Sequence, residues 1–305
     1  MTNLLFEFDK RQAEWIVVAY LANDAAMMEV HKNGLDPHTR TGHLISSVPE
    51  EVIRRENKLL GHTTDPGEIL RLRQEHAPEL LTNSSYFLPR TMSIRQAGKK
   101  ANHGLNYKMG WYRFSRENEL SAPEAKRIVK TYYDVYPGVS RNYHDGIKQQ
   151  LAKDRTLCDP WGNKQRFLGQ WGEELFKLAY SWPPQSTVVT ILNEGMKKIY
   201  HDDSAALKGV EIMQQVHDSV VLQVPVDNLA WAAEACVLIY EHLTPTLQWQ
   251  GREFIIWTDL KIGPNLGDMI EVPLEPNREA MYLHLKEATD EMKGVQRDAR
   301  INIQM

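Results

Sequence analysis

Hydrophobic residues form two kinds of pattern along this chain. Short apolar runs of strand length lie at 4–8, 211–224 and 254–262, and stretches with the 3.6-residue period of a helix fill most of the sequence between them. The predicted helices are 11–22, 48–59, 67–77, 93–108, 122–136, 139–153, 186–201, 227–242 and 278–293. Long helices inserted between a few strands predict an α+β fold.

Turn-forming residues refine this prediction. The segment 156–168 has the pattern of a hairpin around the Pro-Trp-Gly-Asn sequence at 160–163, and 211–224 has the pattern of strand, turn and strand. The polar segment 31–42 predicts a loop. The helix at 186–201 is expected to open after Pro183 and Pro184, because proline ends a preceding helix and is tolerated in a first turn.

Two aspartates, Asp9 and Asp218, are each placed at the tip of an apolar strand. Two carboxylates that can share divalent metal ions are the core of two-metal phosphoryl transfer. Asp9 considered alone fits a capping box with Gln12 equally well, since the spacing is that of N-cap and third helical residue. His217 and Asp218 form a turn without glycine, which tight hairpins normally prefer, and this favours a turn kept for its chemistry.

A basic helix lies between the two aspartates. Arg95, Lys99, His103 and Tyr107 recur every four residues, so they form one stripe along the predicted helix 93–108. The segment 90–116 contains seven Lys and Arg and no Asp or Glu. Arginine and lysine bind phosphate oxygens, and histidine and tyrosine can stack on a sugar or base. The alternative interpretation is an ordinary solvated helix face.

Composition limits the other possibilities. The chain has 305 residues, 42% of them hydrophobic, and a net charge of −4, so a positive surface would be local. No apolar run approaches the ~20 residues of a membrane span, and no secretory signal begins the chain, so we expect a cytoplasmic protein. Cys158 and Cys236 predict two reduced thiols, and His31, His38, His43 and His62 predict structural or surface histidines rather than zinc ligands.

Three motifs in this order resemble those of family A DNA polymerases, the bacterial DNA polymerase I class. Residues 9–14, from Asp9 to Glu14, resemble motif A; residues 95–107 resemble motif B; and residues 216–218 resemble motif C. Ser219 departs from the usual glutamate after motif C, and His-Asp-Ser is typical of single-subunit phage RNA polymerases. His103 takes the place of the usual aromatic residue.

Weaker similarities extend the resemblance over residues 4–270. The Pro-Pro-Gln sequence ending at Gln185 resembles the motif that touches the template–primer minor groove, 161–166 resembles a template hairpin, and 260–267 resembles the closing palm strand. The resemblance implies a palm sheet with an inserted helical fingers subdomain. The implied subdomains are palm at 1–45, fingers at 46–155, palm at 156–272 and a helical tail at 273–305, with the thumb absent.

The resemblance implies a DNA-directed DNA polymerase that extends a primer 3′-hydroxyl with deoxynucleotides on a primer–template. It implies that Asp9 and Asp218 hold two Mg²⁺ ions and that Lys99 is a general acid. The implied substrate-binding residues are Arg95 on the triphosphate, Glu14, His103 and Tyr107 around the sugar, and Gln185 and His217.

Two alternatives stay open. The His-Asp-Ser sequence suggests a fragment of a single-subunit-type RNA polymerase, although the gate implied for Glu14 favours deoxy sugars. A non-catalytic, polymerase-like DNA-binding subunit is the other, and the intact Asp9, Asp218, Arg95 and Lys99 argue against it. Only eight residues precede Asp9. We therefore expect half of a split, viral-type polymerase, with a second polypeptide that supplies thumb, early palm strands and an exonuclease.

Overall fold

The computed structural model describes residues 3–118 and 120–303. The chain divides into two compact units, one formed by residues up to Ala13 together with those from Gln185 onward, and the other by Glu14–Pro184. The subdomain boundaries expected from the resemblance stay a prediction.

The elements alternate much as the hydrophobic pattern predicts. The helices are α1 (Ala13–Leu21), α2 (Ala25–Lys32), α3 (Pro37–Ser46), α4 (Glu50–Leu60), α5 (Pro66–His76), α6 (Glu79–Thr82), α7 (Ile94–Asn106), α8 (Trp111–Glu117), α9 (Ala122–Val135), a π-helical turn (Val139–His144), α10 (Asp145–Asp154), α11 (Glu173–His201), α12 (Leu229–Leu243) and α13 (Arg278–Ile303). The strands are β1 (Asn3–Lys10), β2 (Thr156–Cys158), β3 (Lys164–Arg166), β4 (Glu211–Val216), β5 (Ser219–Pro225), β6 (Leu247–Trp249), β7 (Arg252–Phe254), β8 (Thr258–Gly263) and β9 (Ile270–Val272).

The first unit is built on a five-stranded antiparallel sheet in the order β4-β5-β1-β8-β9. Its central strand β1 places Phe6 opposite Leu222 of β5 and Ile262 of β8, and all three side chains are buried. Burial of such side chains stabilises the sheet by roughly 1.5–3 kcal/mol each. The mixture of helices with an antiparallel sheet confirms the α+β class.

Asp9 does not cap a helix. It lies within β1, where its backbone pairs with Ser219 and Asp259, and the next helix begins only at Ala13. Gln12 adopts a positive φ of 53°, which breaks the chain between strand and helix. The capping-box interpretation is therefore wrong, because Asp9 is three residues too early in the chain to be the N-cap.

The predicted polar loop at 31–42 is also wrong. Most of this segment is helical: it contains the end of α2 and the first half of α3. Asp36 is the N-cap of α3 and Pro37 is its first residue, a strong start signal. His31 and His38 are buried rather than solvated, so their polar character misled the interpretation.

Pro183 and Pro184 lie inside α11 rather than before a helix. Proline has no N–H, so Pro184 leaves the carbonyl of Tyr180, four residues earlier, without its helical donor. The hydroxyl of Tyr143 donates a hydrogen bond to that carbonyl instead. A tertiary contact therefore lets the helix continue, and the prediction that it opens at 186 is corrected.

In the second unit, α3 and α7 pack closely along two glycines. A Cβ added to Gly98 would collide with the carbonyl oxygen of His38 and come within 2.6 Å of the backbone nitrogen of Gly42. Glycine is required at such a distance. Asn102 joins the same helices: its amide donates to the Pro37 carbonyl at 3.1 Å, and its Oδ1 accepts from the Thr41 hydroxyl at 2.9 Å.

Both ends of α7 are anchored by hydrogen bonds. At its start, Glu56 Oε2 accepts from the backbone N–H of Ile94 at 3.0 Å, and the buried Arg73 that pairs with Glu56 donates to the Pro89 carbonyl at 2.6 Å. At its end, three side chains donate to the last turn, namely Tyr133 to the Leu105 carbonyl, His144 to the Asn106 carbonyl and Tyr132 to the Asn106 side chain, at 2.7–2.8 Å. These hydrogen bonds fix both ends of α7 against the neighbouring elements.

The C-terminal helix α13 packs on α12 in the first unit. Met281, Leu285 and Ala288 are buried, and Arg278 forms an exposed ion pair with Glu234 at 3.0 Å. Within the described residues, no helix combines the length and the apolar character required to cross a membrane. Cys158 and Cys236 are both free thiols.

Candidate active site

Asp9 and Asp218 lie side by side at one end of the five-stranded sheet. Asp218 is in the two-residue turn between β4 and β5, and its carbonyl oxygen accepts a hydrogen bond from the backbone N–H of Lys10 at 3.0 Å. His217, the other turn residue, has a φ of 52°. Glycine normally takes this conformation, and for other residues it costs roughly 1–3 kcal/mol. The fold thus brings together the two carboxylates that the sequence singles out.

The environment opposes the ionisation of Asp9. Burial is the first cause and the charges of Asp218 and Glu7 follow, and together they raise the pKa of Asp9 to about 7, with Lys261 opposing. A divalent cation would relieve this penalty, and carboxylate oxygens are its preferred ligands. No group of three or more His, Cys, Asp or Glu side chains in the described parts of the chain is placed to hold a metal ion. A pair of carboxylates can still hold a divalent cation whose shell is completed by water and phosphate oxygens.

Ser219, where the family usually has glutamate, contacts a different carboxylate. Its hydroxyl lies 3.2 Å from Oε1 of Glu7 and 3.1 Å from the Val216 carbonyl, both within hydrogen-bond distance. Glu7 is two residues before Asp9 on β1, so the two side chains share a face of the sheet. The sequence offers a signal for this residue, a glutamate inside an apolar strand, which the motif analysis missed.

Lys10 lies on the opposite face of β1 and is almost fully buried. Its ammonium donates to three neutral oxygens, the Leu243 carbonyl, the Ile256 carbonyl at 3.3 Å and the Thr258 hydroxyl at 2.8 Å. Burial lowers the pKa of Lys10 to about 7, while Asp9 opposes this shift. Lys10 therefore ties β1 to the segments next to it rather than presenting a charge to solvent.

The basic stripe lies on the face of α7 that is not packed against α3. Ser93 is the N-cap, its hydroxyl accepting from the Gln96 N–H at 3.2 Å. The packed face buries the small and polar side chains Ala97, Gly98, Ala101 and Asn102. Of the stripe itself, Lys99 and His103 are exposed, and Arg95 and Tyr107 are half-buried. Residues four apart lie on the same side of a helix, so the basic side chains and the packed side chains occupy different faces of α7.

Arg95 is held by a carboxylate that the sequence analysis missed. Its Nε donates to Oδ2 of Asp36 at 2.6 Å and its Nη2 donates to Oδ1 at 3.2 Å, a bidentate pair. Burial tends to raise the pKa of Asp36, but the Arg95 and Thr39 hydrogen bonds prevail and lower it. Asp36 stands in the polar segment that was predicted to be a loop, so nothing in the pattern connected it with α7.

His38 is buried beside this ion pair. Its Nδ1 accepts from the Asn102 amide at 3.1 Å. Burial is the main cause that lowers the pKa of His38 to about 4, and the charges of Arg95 and Lys99 act in the same direction. His38 is therefore a neutral imidazole at pH 7. It belongs to the structural histidines that the composition predicts.

Glu14, His103 and Tyr107 form a second cluster in this unit. The Tyr107 hydroxyl donates to Oε2 of Glu14, and His103 Nδ1 lies 3.6 Å from the same oxygen. The rings of His103 and Tyr107 meet edge to face, 5.1 Å apart. Burial, followed by the charge of Glu14, raises the pKa of Tyr107, so its hydroxyl stays protonated and a donor.

The predicted site residues therefore fall into two groups. Asp9, Asp218, His217 and Gln185 are in the first unit, with Asp9, His217 and Asp218 at one end of the sheet and the exposed Gln185 in α11. The second unit carries Glu14, Arg95, Lys99, His103 and Tyr107. It brings Glu14, His103 and Tyr107 together, and it joins Arg95 to Asp36.

Comparison with known proteins gives one consistent result. The sequence profile described as DNA polymerase family A matches residues 86–265. DNA polymerase I of Bacillus caldotenax is 24% identical over 237 residues, which are 74% of this chain and 22% of that protein. The thermostable DNA polymerase I of Thermus aquaticus is 22% identical over 249 residues, 79% of this chain and 25% of that protein. The chain thus spans about a quarter or less of the length of these relatives.

A solved structure shares the fold. The POL domain of Pol1 from M. smegmatis, in complex with DNA primer-template and dNTP, superimposes with a TM-score of 0.62 at 21% sequence identity. The match covers 86% of this chain and 40% of that one.

Proposed function

The chain belongs to DNA polymerase family A, and from this premise we propose that it adds deoxynucleotides to a primer 3′-hydroxyl under the direction of a DNA template. The observation that carries the proposal is the pair Asp9 and Asp218, which meet at adjacent strand ends in a field of negative charge. Two such carboxylates with a triphosphate-binding helix are the parts that nucleotidyl transfer requires.

Asp9 and Asp218 would hold two Mg²⁺ ions. Such ions polarise the reacting phosphate and activate the attacking hydroxyl. The task of the protein is to present the two carboxylates ionised and fixed. β1 fixes Asp9 on both sides through its pairing with β5 and β8, and the strained turn at His217 fixes Asp218.

Arg95 and Lys99 would bind the incoming triphosphate. Arginine offers a planar fork for phosphate oxygens and lysine a mobile point charge. The exposed Lys99 is also the candidate general acid that protonates the leaving pyrophosphate. Lys99 is exposed, and Arg95, one turn earlier on α7, is held by Asp36 at the start of α3.

Glu14, Tyr107 and His103 would surround the sugar. The hydrogen bond from Tyr107 places the Glu14 carboxylate, which would exclude a 2′-hydroxyl by contact. Gln185 and His217 would contact the primer–template. In this proposal the first unit contains palm segments, and the fingers segment expected at 46–155 lies within the second unit.

Primer extension tests this proposal. The assay gives the chain a primer–template with either dNTPs or rNTPs, and we expect extension with dNTPs. Asp9→Asn and Asp218→Asn should each lower the rate of extension by at least about 100-fold, because metal ions stabilise the charge of the transition state by several kcal/mol. Asp203→Asn, an exposed aspartate of the first unit, is the matched control and should retain full activity. Faster extension with rNTPs would favour the RNA polymerase alternative, and duplex binding without extension would favour the non-catalytic one.

We further propose that a second polypeptide supplies a thumb, early palm strands and an exonuclease, and that the protein is viral. Affinity purification of the chain from its native cells, followed by light scattering, tests the partner. A stable complex with one further chain supports it. A purified chain that is monomeric and extends primers processively contradicts it.

A further inference from the structure

Asp36 has two roles at once in the second unit. As N-cap of α3, its Oδ1 accepts the backbone N–H of His38 and its Oδ2 accepts that of Thr39, both at 3.2 Å. The same two oxygens accept Nη2 and Nε of Arg95. The carboxylate is therefore fixed by the backbone of one helix and grips a side chain of another.

The two helices cannot easily move apart at this point. Gly98 of α7 lies against the His38 carbonyl, and Asn102 bonds Pro37 and Thr41 of α3. Asp36 is the N-cap of α3. The distance between the Asp36 backbone and the Arg95 backbone is thus set by packing, and only the Arg95 side chain has freedom.

The ion pair with Asp36 leaves some N–H groups of the Arg95 guanidinium without a hydrogen bond to a described residue. A guanidinium has five N–H groups, and Asp36 takes one on Nε and one on Nη2. The two on Nη1 and the second on Nη2 have no hydrogen bond to a described residue. Lys99, one turn later, forms no ion pair within the described part of the chain.

We infer that Asp36 is a positioning residue for nucleotide binding, which holds Arg95 by its Nε edge and presents the Nη1 edge to the triphosphate. This inference rests on the proposed function, in which Arg95 binds that group. Ordering a long side chain during binding costs affinity, and a side chain held beforehand avoids that cost. Loss of the Asp36–Arg95 ion pair should weaken nucleotide binding by about three- to tenfold, the range expected for the ordering of one side chain.

Replacement of Asp36 could also strengthen nucleotide binding, so the direction of the change in Kd distinguishes two roles for this residue. Asp36 also neutralises Arg95, so it could compete with the triphosphate for the guanidinium. A competing carboxylate would make nucleotide binding tighter when it is removed. The inference predicts weaker binding.

The test uses the full chain with a dideoxy-terminated primer–template and measures the Kd of the matching dNTP with Mg²⁺. Asp36→Asn keeps the shape and an oxygen for the N-cap, and Asp36→Ser keeps an N-cap hydroxyl if the first variant does not fold. Asp65→Asn is the matched control, because Asp65 caps α5 through the Glu68 N–H at 2.7 Å and its side chain forms no hydrogen bond or ion pair with an arginine among the described residues. We expect a three- to tenfold higher Kd for Asp36→Asn and no change for Asp65→Asn.

A double variant separates positioning from general destabilisation. If Asp36 acts through Arg95, then Asp36→Asn in the Arg95→Ala background should leave the Kd where Arg95→Ala alone puts it. An unchanged or lower Kd for Asp36→Asn, or a full additional loss in the double variant, overturns the inference while the proposed function stands. If Arg95→Ala itself leaves the Kd unchanged, the triphosphate role of Arg95 fails and the inference fails with it.

Discussion

The hydroxyl of Tyr107 donates a hydrogen bond to the Glu14 carboxylate, so the end of α7 is tied to the start of α1. Charge-assisted hydrogen bonds of this kind contribute about 1.5–3 kcal/mol. The bond joins two residues that are 93 positions apart in the sequence. It gives the proposed sugar pocket one wall of fixed geometry.

Sugar selectivity should depend on this bond. Glu14→Ala is expected to raise the rNTP-to-dNTP ratio of kcat/KM by about tenfold or more, because a barrier of about 1.4 kcal/mol corresponds to one factor of ten. Tyr107→Phe, which loses only the donor, should shift the same ratio in the same direction by less. Tyr133→Phe is the matched control, since its hydroxyl bonds the Leu105 carbonyl instead. An unchanged ratio in Glu14→Ala would show that Glu14 is no gate.

Divalent metal should stabilise the fold through Asp9 and Asp218. A ligand that binds only the folded state at 100 times its Kd adds about 2.7 kcal/mol to the free energy of unfolding. We expect Mn²⁺ or Mg²⁺ to raise Tm in the unaltered chain, and this rise should disappear in Asp9→Asn and Asp218→Asn. Asp203→Asn should keep it. Equal metal-induced shifts in all four proteins would place metal binding elsewhere.

Stability should fall in acid because of a buried histidine. Burial lowers the pKa of His144 to about 4, with the Asn106 hydrogen bond opposing. The unfolded chain takes up this proton near pH 6.5, so the folded state is favoured fully above about 6.5 and loses this advantage as the pH falls towards 4. The full loss amounts to roughly 3 kcal/mol.

Urea unfolding at several pH values measures this effect. The variant His144→Gln should be less stable at pH 7 but should show a flatter pH profile between 4 and 6.5. His62→Gln, at an exposed position, should leave the profile unchanged. A profile of the same slope in His144→Gln would assign the acid sensitivity to other groups, His38 first among them.

The glycine contact between α3 and α7 should tolerate no side chain. Gly98→Ala forces a Cβ against the His38 carbonyl and is expected to cost about 1–3 kcal/mol, as overpacking does. Gly146→Ala in α10 meets no atom within 4 Å and should gain about 0.5 kcal/mol from helix propensity. The midpoint of urea unfolding compares the two. A neutral Gly98→Ala would mean that α3 and α7 separate readily.

The sequence predicted those features that depend on local pattern. Apolar runs placed Asp9 at the end of a strand and Asp218 in a turn between strands, and the four-residue spacing placed Arg95 and Lys99 on one face of a helix. The sequence could not reveal partners that only tertiary packing creates. Asp36 meets Arg95 across 59 residues, and neither the polar loop-like segment nor the helix period contains that information.

Two corrected predictions have the same physical origin. The Pro183–Pro184 pair reads as a break because the local backbone loses donors, yet the hydroxyl of Tyr143, 37 residues before Tyr180, donates to the Tyr180 carbonyl. The polar segment 31–42 reads as a loop, but buried partners satisfy two of its histidines within helices: Tyr20 bonds His31 at 3.0 Å and Asn102 bonds His38. In both cases a distant side chain reverses a local preference.

The anchors at the two ends and the middle of α7 determine how this helix can respond to a nucleotide. If it shifted alone, it would break hydrogen bonds to Glu56, Tyr132, Tyr133 and His144 simultaneously. We therefore expect α7 to move only together with α3, α4, α5, α9 and the turn at Val139–His144 when a triphosphate binds Arg95 as proposed. Hydrogen exchange would register this as a common slowing across all these elements when a nucleotide binds.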